Sequence, residues 1–167
     1  MSTLIQLAER IEQSQLGVSI AESQYAFAVI EGVHLIGLSV SVGLIFLTDL
    51  RLMGLLFRHV PVNDVLRHLR PYVLTGFALV FLSGGLLFLA EAVALVKSPA
   101  FPFKMLFMAL AGANALYFEL RLAKQQAVVD NKSALPRNVR YAGAASLALW
   151  TLVVICGRLI PYLPNWS

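Results

Sequence analysis

Glu31 and His34 stand three residues apart in the run YAFAVIEGVHLIGLSVSVGLIFL, which is otherwise long and apolar enough to cross a bilayer. Residues three apart on a helix are neighbours, about 5–6 Å between Cβ atoms, so the carboxylate and the imidazole share a face. Ionisable groups at membrane depth are costly to desolvate and mark a pathway, a cofactor or a partner helix. Glu91 near the end of the second apolar run, Lys104 at the start of the third and Arg158 near the end of the fourth fall at a similar level. A neutral imidazole there is suited to bind a metal as an axial ligand or to carry a proton, and the two cations are suited to hold carboxylates.

These residues need a membrane scaffold to hold them. Of the 167 residues, 59% are hydrophobic and 13% charged, too little polar surface for a soluble domain of this length. Four segments have the roughly 20 apolar residues that a spanning helix needs: about 26–48, 72–96, 102–120 and 139–160. The predicted fold class is all-α, an integral membrane four-helix bundle forming a single domain over 1–167. Small residues at close spacing (Gly32, Gly37, Gly43; Gly76, Gly84, Gly85; Ala109, Ala113; Ala144, Ala148) favour close helix packing.

Ahead of the first span, Glu9, Arg10 and Glu12 interrupt any signal-peptide core, so this segment is expected to stay. Leu4, Leu7, Ala8 and Ile11 follow helical spacing, which predicts a short interfacial helix. Thr3 with Gln6 would cap it and Gly17 would end it, and Ser19 with Glu22 would cap the first span.

Of the 13 basic residues, Arg51, Arg58, Arg67, Arg70, Arg121, Lys124, Lys132, Arg137 and Arg140 flank the first and third connections. The positive-inside bias puts these loops in the cytoplasm. Both termini and the link around Lys97, Ser98 and Pro99 then lie outside, in the periplasm of a bacterial inner membrane. The net charge of +4 is a matter of topology, with anionic headgroups as its partner and no nucleic acid implied. The lone Cys156 excludes an intrachain disulfide and reads as a packing residue.

Two readings of the polar residues compete. In the first, His34 is the axial ligand and metal-binding residue of a haem b, Lys104 and Arg158 hold its propionates, and Glu31 tunes the imidazole or moves a proton. Met105 and Met108 are then the only candidates in this chain for a second ligand, since His59 and His68 belong to the opposite loop. In the second, the chain is a non-enzymatic subunit of a larger membrane complex or a homo-oligomer. Glu31 would tie to Arg158 or Lys104, His34 would hydrogen-bond a facing helix, and the boundary charges would snorkel to headgroups. At the other end, Asp49 and Arg51 are expected to meet water and to seek partners such as Arg70 or Glu119, while Asn114 is expected to bond across helices.

The runs His34-Leu-Ile-Gly37, Gly43-Leu-Ile-Phe-Leu-Thr-Asp49-Leu-Arg51-Leu-Met-Gly54, Pro99-Ala-Phe-Pro-Phe-Lys104, Asn114-Ala-Leu and Gly157-Arg158-Leu-Ile-Pro-Tyr162, with Trp150, resemble an uncharacterised bacterial family of four-helix membrane proteins, a domain of unknown function. More remotely, a histidine in the outer half of span one followed by a glycine-rich turn and an arginine, with a lysine opening span three, is similar to HemJ-type protoporphyrinogen oxidases and CopD-like membrane proteins. The HemJ resemblance implies haem b at His34 and a role for Lys104. The chain departs from that pattern at Asn114, Tyr117, Phe118 and Glu119, where a further histidine would stand, and it lacks the histidine- and methionine-rich motifs of copper carriers.

Overall fold

The computed structural model describes residues 2–124 and 135–163. Lys132, expected on the third connection, lies outside the described residues. Among the described residues the fold is all-α: α1 (Ser2–Glu12), α2 (Gln15–Glu22), α3 (Gln24–Leu52), α4 (Val62–Ala90), α5 (Ala92–Lys97), α6 (Ala100–Tyr117) and α7 (Arg137–Leu159). A π-helical turn, Phe118–Leu122, prolongs α6. Four of these helices are long and apolar enough to cross a membrane: Gln24–Leu52, Val62–Ala90, Ala100–Leu122 and Arg137–Leu159.

The second of them starts ten residues earlier than the apolar run at 72, because Pro71 is accommodated inside the helix and the polar first turns continue it. His68, expected in a loop, is therefore helical, its Nδ1 2.7 Å from the Asp64 carbonyl one turn back. The helix stops at Ala90, and Glu91 leaves helical geometry before the short α5 begins.

At the N-terminus the side-chain caps fall on Ser14 and Ser23 and not on the expected Thr3 and Ser19, and Thr3 lies inside α1. The Ser14 hydroxyl accepts from the Gly17 amide at 3.2 Å and starts α2, so Gly17 lies inside a helix instead of ending one. The Ser23 hydroxyl accepts from the Ala26 amide at 3.2 Å and starts α3. Ser19 is a mid-helix residue that donates to the Gln15 carbonyl. The reason is positional: a serine caps only where its own backbone is extended, as at Ser14 and Ser23.

In space the four long helices run in the order α4, α3, α7, α6, with α3 packed on both α4 and α7 and α6 packed on α7. The α3–α4 contact is close at Gly37, Ser41 and Gly76, where the fully buried Ser41 hydroxyl donates to the Gly37 carbonyl. Between α3, α4, α6 and α7, Val42, Ala111, Trp150 and Val153 form one buried cluster with Phe77 and Met108 packed on it. A second cluster, Leu52, Val62, Phe118, Leu122, Leu135, Val139 and Ala142, closes the end that carries the arginine-rich connections. Tyr25, Ile36, Leu82, Leu106 and Leu152 lie on the outer surface, as lipid contact requires.

Asp49 and Arg51 were expected to meet water and do not. They are 4% and 3% exposed, because the 53–61 connection folds back over Arg51 and α7 packs on Asp49. Arg51 Nε donates to the Val60 carbonyl at 2.8 Å. Arg70 and Glu119, proposed partners for these two, pair with each other, with the guanidinium 2.7 Å from Oε2. Asn114 does bond across helices as expected, donating to the Ala142 carbonyl at 3.0 Å.

Candidate functional site

His34 projects from α3 onto α4. Its Nδ1 lies 3.1 Å from the Val80 carbonyl and 3.1 Å from the Ser83 hydroxyl. Ser83 spends its own proton on the Leu79 carbonyl at 2.6 Å. Both groups facing Nδ1 are thus acceptors, so the network assigns the proton to Nδ1. In the neutral ring Nε2 then keeps its lone pair, and no hydrogen bond to Nε2 is found among the described residues. This is the arrangement that orients histidine metal ligands, with a backbone carbonyl fixing the tautomer. Gly84 makes room for the ring: a Cβ there would stand 3.0 Å from His34 Cε1.

Lys104 and Glu31 are the charges that act on this imidazole. The Lys104 stem lies along α7 at Gly157, with Cys156 nearby. Glu31 is exposed and makes no ion pair among the described residues. Arg158, the expected partner of Glu31, is turned outward with its guanidinium 5.0 Å from the centre of the Tyr162 ring. Glu31 lies one turn before His34 on α3 and Lys104 is near enough for its charge to bear on the ring, whereas Arg158 is turned away. Met105 is exposed, and Met108 packs on the Trp150 cluster, so neither is spare for His34. No group of three or more His, Cys, Asp or Glu side chains able to hold a metal occurs among the described residues.

The same end carries three carboxylates from three elements, Glu12, Glu31 and Glu91. Glu12 Oε2 accepts the Val93 amide at 2.9 Å, so α1 caps the first turn of α5. Glu91 is pushed above the usual carboxylate range by partial burial and then by the charges of Glu31 and Glu12. A carboxyl raised in the folded state favours folding while it is protonated, and that contribution is lost as pH rises from the unfolded value through the folded one. Glu91→Gln should accordingly raise the melting temperature in detergent at pH 7.5 and leave it unchanged at pH 4. An equal shift at both pH values would disprove the coupling.

In the half nearer the arginine-rich connections, a cavity of about 650 Å³ is bounded by α3, α4, α6 with its π-turn, and α7. Asp49 lines it, with Ser146 of α7 as hydrogen-bonding neighbour, and Asp49 Oδ2 is buried without a hydrogen-bond partner among the described residues. Sequence reasoning passed over Ser83, Ser146 and this cavity. The signal for the serines was present, since each is a polar residue inside an apolar run, but their partners lie on other helices.

A model of a family described as a family of unknown function (DUF6644) matches residues 8–163. No curated protein and no solved structure matches the chain.

Proposed function

The chain belongs to that family of unknown function, and within it we propose that this member is a bacterial inner-membrane redox protein holding a haem b at the His34 end. The observation that supports this reading most is the Nδ1 bonding of His34 to Val80 and Ser83, which fixes the ring and leaves Nε2 free to ligate. Lys104, a partly buried cation whose charge bears on the ring, is suited to pair with a propionate. Haem b would supply one-electron transfer at this position. His34 would supply a ligand nitrogen, Val80 and Ser83 hold its orientation, and the exposed Glu31 can exchange a proton between the site and water. With Arg158 turned onto Tyr162, the propionate role falls to Lys104.

The protein purified from a haem-replete host should show a Soret band, and His34→Ala should abolish it without loss of helicity. Lys104→Ala should weaken haem retention while the ligand nitrogen remains. A colourless wild-type preparation, negative in a pyridine haemochrome assay, would leave the accessory-subunit reading in place. The hydrogen bonds from His34 to α4 would then be an interhelical lock, which is the observation favouring that second reading.

The proposal puts the arginine-rich connections in the cytoplasm and the 91–99 link in the periplasm. The basis is that Arg51, Arg58, Arg67, Arg70, Arg121, Lys124, Arg137 and Arg140 lie at one end, against Arg10, Lys97, Lys104 and Arg158 at the other. In a Cys156→Ala background, an impermeant thiol reagent added to intact spheroplasts should label Lys97→Cys and spare Arg58→Cys. The reverse pattern would invert the topology.

A further inference from the structure

α4 and α6 stand side by side without close backbone packing. Long side chains join them, Arg70 to Glu119 at one end, 2.7 Å from Oε2, and Phe88 to Phe101 at the other, with ring centroids 6.0 Å apart. Two residues inward from the ion pair on each helix are Tyr72 and Tyr117, so these two rings fall at one level. Tyr141 of α7 joins them there, because its neighbour Ala142 accepts from Asn114, one turn before Tyr117. All three tyrosines are exposed. Tyrosines gather where a bilayer meets water. From Tyr72 to the end of α4 at Ala90 the helix rises about 27 Å, close to the roughly 30 Å of a hydrocarbon core, so the three rings mark one boundary of the membrane.

A recess between α4 and the end of α6 straddles that boundary. Leu74 is its wall on the hydrocarbon side, and Pro71 sits at the boundary itself. Arg67 stands about 7 Å past Tyr72 along α4, and Lys124 at most about 10 Å past Tyr117, within reach of a headgroup layer about 5–8 Å thick on each side. Glu119 is taken by Arg70, and Arg67 meets the Asp64 carboxylate at no closer than 4.0 Å. Lys124 makes no ion pair among the described residues. Three cations thus face one carboxylate in the wall, at the depth of lipid phosphates, directly above an apolar opening. A soluble anion answers the charge alone, and an apolar molecule answers the opening alone. A zwitterionic lipid answers both but brings a cation of its own to the arginines.

We propose that this recess binds one anionic phospholipid, with its phosphate between Arg67 and Lys124 and one acyl chain running past Pro71 and Leu74 into the open seam between α4 and α6. The general attraction of basic loops to a charged leaflet favours no one position, whereas this recess holds a single lipid in a fixed place. The site is independent of haem at His34 and of which way the chain is oriented.

Native mass spectrometry of the protein in lauryl maltoside reads lipid adducts directly, with phosphatidylglycerol and phosphatidylcholine of identical chains as probes. A single phosphatidylglycerol adduct is expected, about tenfold tighter than that of phosphatidylcholine. Arg67→Gln with Lys124→Gln should remove the preference and leave phosphatidylcholine binding unchanged. Arg137→Gln with Arg140→Gln removes the same charge from exposed positions at the same end but outside the recess, and should keep the preference. Glycerophosphoglycerol, the headgroup without chains, should bind at least about tenfold more weakly than the intact lipid. Equal affinity of the parent for the two lipids would overturn the proposal. So would a preference that survives without Arg67 and Lys124, or one lost alike in both double variants, which would reduce it to diffuse attraction. Binding of the chainless headgroup as tight as that of the lipid would make the recess a site for soluble anions and overturn it too. If the Arg67 and Lys124 variant does not fold, the preference in the parent and in the Arg137 and Arg140 variant still decides the question.

Discussion

Gly17→Ala should strip the two N-terminal helices from the bundle. A Cβ at position 17 would stand 2.6 Å from the Glu12 carbonyl oxygen, 2.6 Å from the Leu89 carbonyl oxygen and 3.2 Å from the Ile11 carbonyl oxygen. These are backbone atoms, which no rotamer change can move aside. Either the α1–α2 turn opens or α2 lifts from the end of α4. Overpacking a tight site typically costs about 1–3 kcal/mol, and a contact with two rigid carbonyls belongs at the upper end of that range. Once α2 lifts, Glu12 leaves the Val93 amide, and the cap on α5 is lost with it. Limited proteolysis of the detergent-solubilised protein should then cut within residues 1–23 at least tenfold faster than in the parent, with the four long helices still intact by circular dichroism. Unchanged cleavage would mean that the N-terminal helices are not held at Gly17.

Gly17 also shows where sequence reasoning stops. Its place ahead of the first span suggested a helix end, since glycine often follows a helix C-terminus. The structure uses it for its small size, at a contact with a residue 72 positions away that local pattern cannot reveal. The spans were legible because twenty apolar residues in a row are a signal within a single segment. The second helix start was misjudged because residues 62–71 are polar yet helical, their exposed face lying beyond the apolar stretch. Asn114 was legible because an amide in an apolar span has little choice but another helix. Asp49 was read as a water-facing charge because it stands with Arg51 at the inner end of the first span, where the helix leaves the membrane. The fold buries it with α7, which starts almost ninety residues later. His34 and Lys104 were chosen from their depth and from the HemJ resemblance, and Lys104 is near enough for its charge to bear on the imidazole. Arg158, chosen from its depth, sits on Tyr162 because four residues along the chain offer it a ring at the water-facing edge.

The α3–α4 seam is the second place where one added side chain should have a large effect. At Gly76, a Cβ would run into the Ser41 hydroxyl and stand 3.4 Å from Ser41 Cβ and 3.5 Å from the Gly37 carbonyl. Ser41 is fully buried and its hydroxyl is tied to Gly37 at 2.7 Å, so it has little room to swing. Gly76→Leu cannot be absorbed there without separating the helices, and a loss of about 3 kcal/mol is expected. For a chain of this size that is on the order of 10 °C in melting temperature. The damage should extend to His34, because Val80 and Ser83 stand one and two turns beyond Gly76 on the same helix. A parted seam withdraws both acceptors from Nδ1, so the ring loses its fixed orientation along with the packing. The milder Gly76→Ala should cost less, and combining it with Ser41→Ala should recover most of the loss, since the hydroxyl is the atom in the way and the two Cβ atoms can tolerate 3.4 Å. The melting temperatures of the parent, Gly76→Ala, Ser41→Ala and the double variant form a double-mutant cycle. Strictly additive losses would show that α3 and α4 are not in contact at Ser41 and Gly76, and the placement of His34 against α4 would fall with that contact.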